Sequence, residues 1–183
     1  MTGMTQPHAL HRRLFLAGSA ASAFVLAACG AQAKPNAAER AFASSPFRKI
    51  SEAEWRKRLS PAAFDVLRKD GTERPRSSPL NNEKRRGTYA CGGCGLPLFR
   101  SDAKFESGTG WPSFVTSMKG ATGTKRDLVL LIPRTEYHCA RCLGHQGHIF
   151  DDGPADRGGK RWCNNGVALR FVPRNQPLPA LRG

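Results

Sequence analysis

Two Cys-x-x-Cys pairs constrain this chain more than any other feature. Cys91-Gly92-Gly93-Cys94 and Cys139-Ala140-Arg141-Cys142 are separated by 44 residues, 95–138. Each tight turn can present two thiolates at the bite that a tetrahedral ion requires. Two disulfides are the alternative, which an oxidising compartment allows. Cys-x-x-Cys disulfides are more often redox-active than structural, so a structural Zn²⁺ held by Cys91, Cys94, Cys139 and Cys142 is the preferred reading. Gly92 and Gly93 are expected to relieve the backbone of the first turn.

The segments around these pairs read as β. "TYAC", "LPLF", "PSFV", "DLVLLI", "TEYHC", "GHIF" and "VALRFV" are short strand candidates separated by Gly and Pro. No stretch between them is long enough for a helical crossover, so an antiparallel sheet or small open barrel is expected. Two short helices precede them. Ser51-Glu52-Ala53-Glu54 is a capping-box pattern with Trp55 and Leu59 on one face. Ser60-Pro61 opens a second helix, expected to stop at Asp70-Gly71 with Gly in the C-terminal position. "TERPRSSPLNNEKRRG" has too many breakers for an element and reads as a wrapping loop.

The N-terminus reads as an address. Arg12-Arg13 precede an apolar run from Leu14 to Ala28, 15 residues, where a bilayer span needs about 20. This is the h-region of an export signal, and Arg-Arg-Leu-Phe-Leu resembles the twin-arginine type, which carries folded proteins. Leu26-Ala27-Ala28-Cys29 reads as a lipobox, making Cys29 a lipidated first residue and a membrane anchor. Ala31-Gln32-Ala33 equally satisfies ordinary cleavage after Ala33. The expected organisation is a signal over 1–33, a flexible tether over 34–46, a folded domain over 47–175 and a tail over 176–183. A protein that folds before export can load zinc in the reducing cytoplasm and then work in the periplasm, free or anchored.

The formal charge is +15, and removing residues 1–33 takes away only Arg12 and Arg13, leaving +13. Lys and Arg are scattered from Arg48 to Arg182, a solvated basic surface rather than a nucleic-acid groove. The interleaved aromatics of a base-stacking platform are absent, so no nucleic-acid partner is expected.

The fifth domain cysteine, Cys163 in "GGKRWCNNGVALRFVP", stands alone. On a regular strand Arg161, Cys163 and Asn165 share a face, with Trp162 and Asn164 on the other. Val167, Leu169 and Phe171 continue the first face. An arginine beside a thiol favours the thiolate, which is the nucleophile. A buried inert cysteine is the commoner fate, and Arg161 and Asn165 argue against it. Upstream, "CLGHQGHIFDDGP" supplies His145 and His148, two of five histidines. Their spacing places them on opposite faces of an ideal strand, so both serve one site only with a bulge or turn at Gly147. As acid–base groups they suit a proton transfer near neutrality, with Asp151 or Asp152 orienting one imidazole. Trp111 in "FESGTGWPSF" is either core or the floor of a small apolar pocket. Such a pocket suits a small, soft, oxidised group.

Together, "TERPRSSPLNNEKRRGTYACGGCGLPLF", "KFESGTGWPSF", "CARCLGHQGHIFDDGP" and "RWCNNGVALRFVP" resemble the peptide methionine-(R)-S-oxide reductases, the B type, from about Ile50 to Pro173. The resemblance implies a mainly β fold, two small antiparallel sheets forming an open barrel, with the four paired cysteines as zinc ligands. It implies that Cys163 attacks the sulfoxide sulfur of oxidised methionine in peptides or proteins. His145 and His148 would stabilise and protonate the oxygen, with Asp152, Asn165 and Arg161 beside them and Trp111 against the substrate methyl. A sulfenic acid then forms on Cys163. Many members resolve it with a second cysteine in "SGCGWPSF", where this chain has Thr109. With Cys29 as the sole spare thiol, an external, thioredoxin-like thiol is expected to regenerate a monomeric enzyme. Gln146 and Trp162 depart from the usual Leu and Tyr. The competing readings are a non-enzymatic zinc-ribbon binding module and a peroxide-reducing thiol enzyme.

Overall fold

Short strands broken by Gly and Pro can pair only with antiparallel neighbours, and the computed structural model shows that pattern. It describes residues 35–128 and 133–180. Arg12, Arg13, Cys29 and the expected signal lie outside the described residues, as do 129–132 of the expected "DLVLLI" strand and the last three residues of the tail.

Among the described residues there are three α-helices: α1 Ala37–Ala41, α2 Glu52–Arg58 and α3 Pro61–Lys69. Nine strands follow: β1 Gly87–Cys91, β2 Pro97–Arg100, β3 Lys104–Phe105, β4 Ser113–Phe114, β5 Thr122–Asp127, β6 Arg134–Cys139, β7 His145–Phe150, β8 Arg161–Asn164 and β9 Leu169–Pro173. They form a three-stranded sheet, β2-β1-β9, and a six-stranded sheet, β3-β4-β8-β7-β6-β5. Every pairing is antiparallel.

The sheets meet through an aromatic core. Phe99 stacks on Phe114 at 4.1 Å, Tyr89 meets Phe114 edge-on at 4.9 Å, and Tyr137 meets Trp162 at 4.8 Å. Tyr89 and Phe99 come from the small sheet, and Phe114, Tyr137 and Trp162 from the large one. Offset and edge-on rings give the attraction of the aromatic quadrupole in addition to area burial. Because Trp162 faces this core, strand alternation turns Cys163 to the opposite face.

Four local expectations change. First, residues 161–171 are not one strand. β8 ends at Asn164, a 3₁₀ turn over Gly166–Ala168 follows, and β9 joins the other sheet. A single alternating pattern does not reveal a change of sheet, because both halves keep an apolar face. Second, the expected tether contains α1. Asn36 caps it with a reciprocal box through Glu39, and Glu39 is buried with its carboxylate 2.6 Å from His138 Nε2. A buried imidazole needs a polar partner, and this helix supplies one.

Third, Asp70 rather than Gly71 takes the left-handed position after α3, at φ 56°. Aspartate tolerates that region, whereas a Cβ at Gly71 would overlap the Asp65 carboxylate. At α2 the box is half formed. Ser51 Oγ accepts from Glu54 N, but the Glu54 carboxylate turns to Arg58. Fourth, the left-handed residues of the two cysteine turns follow the second cysteine in each, at Gly95 (φ 78°) and Leu143 (φ 59°). Gly92 instead allows close approach of Ala168 O, 3.1 Å from where a Cβ would stand.

Candidate active site

Pairing across the large sheet assembles a row from residues far apart in sequence. Ser113 lies opposite Cys163, Cys163 opposite His148, His148 opposite Glu136, and Glu136 opposite Lys125. Directly opposed residues share a face, so five strands present one polar row on the side away from the aromatic core. The expected bulge exists, but at Gln146. The β6–β7 register slips there, so His138 pairs with His145 while Tyr137 pairs with Gly147. One extra residue turns His145 onto the face of His148, and the rings lie 5.4 Å apart. Gly147 is needed for a different reason, since a Cβ there would overlap Cys163 O.

A cavity of about 140 Å³ opens on this face, lined by Cys163, His148, Trp111, Phe150, Asn165 and Thr72 among others. Cys163 and Trp111 are both half-buried, and Trp111 Nε1 donates to Glu73 O at 3.0 Å, which fixes the ring. His145 does not line this cavity. It is buried behind His148, facing a second cavity of about 230 Å³ with Asp70, Lys125 and Glu136. A larger concavity, about 900 Å³, runs past the Cys91–Cys94 turn between Arg58 and Arg170 and is lined by no histidine. The small cavity is therefore the candidate site, since it joins the accessible thiol to an imidazole.

The histidine partners are not those expected from sequence. Asp151 pairs with Lys160, and Asp152 holds Arg161 through two bonds of 2.8 and 2.9 Å. Neither touches an imidazole in these pairings. Instead Asp127 Oδ2 lies 2.7 Å from His148 Nε2, and Arg134 Nη2 is 2.6 Å from the same oxygen. An ionised carboxylate only accepts, so Nε2 carries the proton and Nδ1 is left as the basic nitrogen. Glu136 Oε1 lies 3.0 Å from His145 Nδ1, and Lys125 Nζ lies 2.8 Å from Glu136 Oε2. Asp127, Glu136, Arg134 and Lys125 carried no local sequence signal. Only strand register brings them to the site.

Burial pushes the Cys163 thiol above its ordinary value, and the Arg161 guanidinium only partly offsets it. Arg161 pulls towards the thiolate, as the sequence led us to expect, but desolvation outweighs it. Burial also lowers the His148 imidazole, against the opposing pull of Asp127. Burial raises the Glu136 carboxyl, yet His145 and Lys125 outweigh this and hold it below the ordinary carboxylate value. Near neutrality the resting pair is a thiol beside a neutral imidazole.

Asn165 is fixed at both ends, its Oδ1 accepting from Glu73 N at 2.9 Å and its Nδ2 donating to Gln146 O at 3.0 Å. It shapes the cavity wall. Ser107 Oγ lies 2.8 Å from both Thr109 Oγ1 and Ser113 Oγ, so hydroxyls fill the region around Thr109.

The four paired cysteines are buried and unpaired by disulfides, and their sulfurs lie within 4.8 Å of one another. Cys91 Sγ is 3.7 Å from Cys142 Sγ, and Cys94 Sγ is 3.5 Å from Cys139 Sγ. A tetrahedron with metal–sulfur arms of about 2.3 Å has edges of about 3.8 Å, whereas a disulfide is about 2.05 Å. N–H donors also point at the cluster, Gln146 Nε2 on Cys91 Sγ at 3.5 Å and Arg68 Nη2 on Cys142 Sγ at 3.8 Å. The set fits a metal ion held by four thiolates. A second grouping, Asp70, Glu136 and His145, already has Lys125 between its carboxylates, at 3.0 and 2.8 Å.

The SelR domain family matches residues 59–173. A peptide methionine sulfoxide reductase MsrB of Bradyrhizobium diazoefficiens is 48% identical over 125 residues, 68% of this chain and 89% of that protein. One of Methanosarcina barkeri is 50% identical over 122 residues, 66% of this chain and 85% of its own. The chloroplastic peptide methionine sulfoxide reductase B1 of Arabidopsis thaliana is 41% identical over 151 residues, 82% of this chain and 74% of its own. With its cysteine–histidine cavity on one sheet and its four-cysteine cluster beside it, this chain belongs to the SelR-domain family, that of the MsrB-type peptide methionine sulfoxide reductases.

Proposed function

We propose that this protein reduces the R epimer of methionine sulfoxide in peptides and proteins, with Cys163 as nucleophile and an external thiol as reductant. The observation that carries the proposal is the pairing of Cys163 directly opposite His148 in a cavity walled by Trp111. An apolar ring suits the substrate methyl, and the imidazole suits its oxygen.

In the first step the Cys163 proton passes to His148 Nδ1, and the thiolate attacks the sulfoxide sulfur. The same proton is returned to the sulfoxide oxygen, which leaves the substrate and ends on Sγ as a sulfenic acid. The substrate sulfur gains two electrons and Sγ loses two, releasing methionine. Asp127 holds His148 in the tautomer that this relay needs, and Arg161, steadied by Asp152, favours the transient thiolate. An external thiol then attacks Sγ, releasing water. A second thiol breaks the mixed disulfide and restores Cys163. No described thiol outside the four-cysteine cluster is available to do this from within.

The decisive assay offers both epimers of a methionine sulfoxide peptide with dithiothreitol. Turnover of R alone is expected, and no turnover of R by folded, metal-loaded protein would sink the proposal. The relay also sets the pH profile. It needs one proton shared by Cys163 and His148, so kcat should be bell-shaped, with an acid limb below pH 6.5 and an alkaline limb above pH 9. Asp127 raises the His148 value, so Asp127→Asn should move the acid limb to lower pH while reducing kcat about tenfold. An acid limb that does not move would remove Asp127 from the relay.

The four thiolates are proposed to hold a structural Zn²⁺, which when bound supplies a rigid cross-link and takes no part in the chemistry. Export by the twin-arginine route to the periplasm is proposed from Arg12-Arg13 and the apolar run after it. Lipidation at Cys29 and cleavage after Ala33 are separated by the intact mass of the mature protein.

A further inference from the structure

Glu73 lies in the breaker-rich loop after α3 and touches both walls of the cavity. Its carbonyl accepts from Trp111 Nε1 at 3.0 Å, and its N–H donates to Asn165 Oδ1 at 2.9 Å. Its carboxylate closes the set: Oε1 accepts from Gly166 N at 2.5 Å and Oε2 from Val167 N at 3.0 Å. Those two N–H groups begin the 3₁₀ turn over which the chain leaves β8 for the other sheet. Such leading N–H groups have no partner within their turn, and an anion there gains from both hydrogen bonding and the local dipole. Asn165, the residue before the turn, offers no side-chain cap, because its amide is already bonded to Glu73 N and Gln146 O. The loop also packs flush on this turn, since a Cβ at Gly166 would overlap the Ser78 hydroxyl.

We propose that Glu73 is a positioning residue for the reduction. Its carboxylate fixes the turn that ends the four-residue Cys163 strand, while its backbone holds the Trp111 ring, so one residue sets the spacing between nucleophile and cavity floor. Loop 70–78 is thereby part of the substrate site rather than a wrapping segment. The inference rests on the reduction proposed above, and wild-type turnover is the control that separates the two. The carboxylate touches no reacting atom, and its removal acts through geometry. Substrate binding should therefore suffer at least as much as chemistry.

The test compares Glu73→Ala, Glu73→Gln and wild type in steady-state reduction of a methionine sulfoxide peptide with dithiothreitol, with metal content and melting temperature measured in parallel. Glu73→Ala is expected to raise KM about tenfold and lower kcat/KM by about a hundredfold while keeping its metal. Glu73→Gln keeps one acceptor for a turn N–H and should recover part of the KM. Trp111→Phe removes the other bond while keeping an aromatic ring, and should also raise KM. Wild-type turnover with unchanged KM in Glu73→Ala would overturn the proposal. A loss that tracks melting temperature alone and vanishes on cooling would overturn it equally. No wild-type turnover would remove the reduction itself, and this role with it.

Discussion

Replacing Cys163 by serine should abolish sulfoxide reduction, lowering kcat by on the order of 10⁴ or more. The substitution changes one atom and leaves the cross-strand row, the cavity and the four-cysteine cluster in place. What is lost is a soft nucleophile whose proton the neighbouring imidazole can take. A serine hydroxyl is far less acidic, and its oxygen cannot pass through the sulfenic acid that carries the abstracted oxygen away. Metal content and melting temperature should match wild type, because Cys163 is not among the clustered thiols. Retention of more than about one per cent of wild-type kcat would exclude the nucleophile assignment. Normal activity loss with normal metal content is also the result that a purely structural role for Cys163 cannot produce.

The second large effect falls on stability. Cys139→Ser removes one of the four buried cysteines proposed to hold the ion, and the three remaining thiolates would repel one another with an incomplete shell. The expected cost is about 3–5 kcal/mol, a drop in melting temperature of roughly 10–20 °C for a domain of this size. A chelator that strips the metal should lower the melt of wild type similarly, with recovery on adding Zn²⁺. The physical basis is topological. Cys91 and Cys94 flank the end of the three-stranded sheet, while Cys139 and Cys142 close β6 of the six-stranded one. The cluster therefore ties one sheet to the other. A melt indifferent to chelator, with no metal in the purified protein, would refute a structural ion.

Gln146 connects this cluster to the site. Its amide reaches Cys91 Sγ, its carbonyl accepts from Asn165 N at 2.9 Å, and it supplies the bulge that turns His145 inward. Its side chain thus makes a polar link between the cysteine cluster and Asn164 on the strand of Cys163.

The sequence by itself determined the elements whose causes are local. Cys-x-x-Cys spacing carried the four-cysteine cluster, Gly and Pro punctuation carried short antiparallel strands, and Ser60-Pro61 carried the start of α3. Strand alternation placed Arg161 and Cys163 on one face, and the four motifs in order carried the family. The tertiary structure decided what depends on pairing across long stretches of chain. Register put His148 beside Cys163, Asp127 beside His148 and Glu136 beside His145. A two-residue periodicity says which face a side chain takes but not which strand lies next to it. The same holds for charge. Arg161 was legible as a neighbour of Cys163, yet burial, which no local pattern measures, decided that the resting group is a thiol. Glu73 shows the limit most clearly: a single acid in a loop of breakers gains its role only because the fold carries that loop across the end of β8.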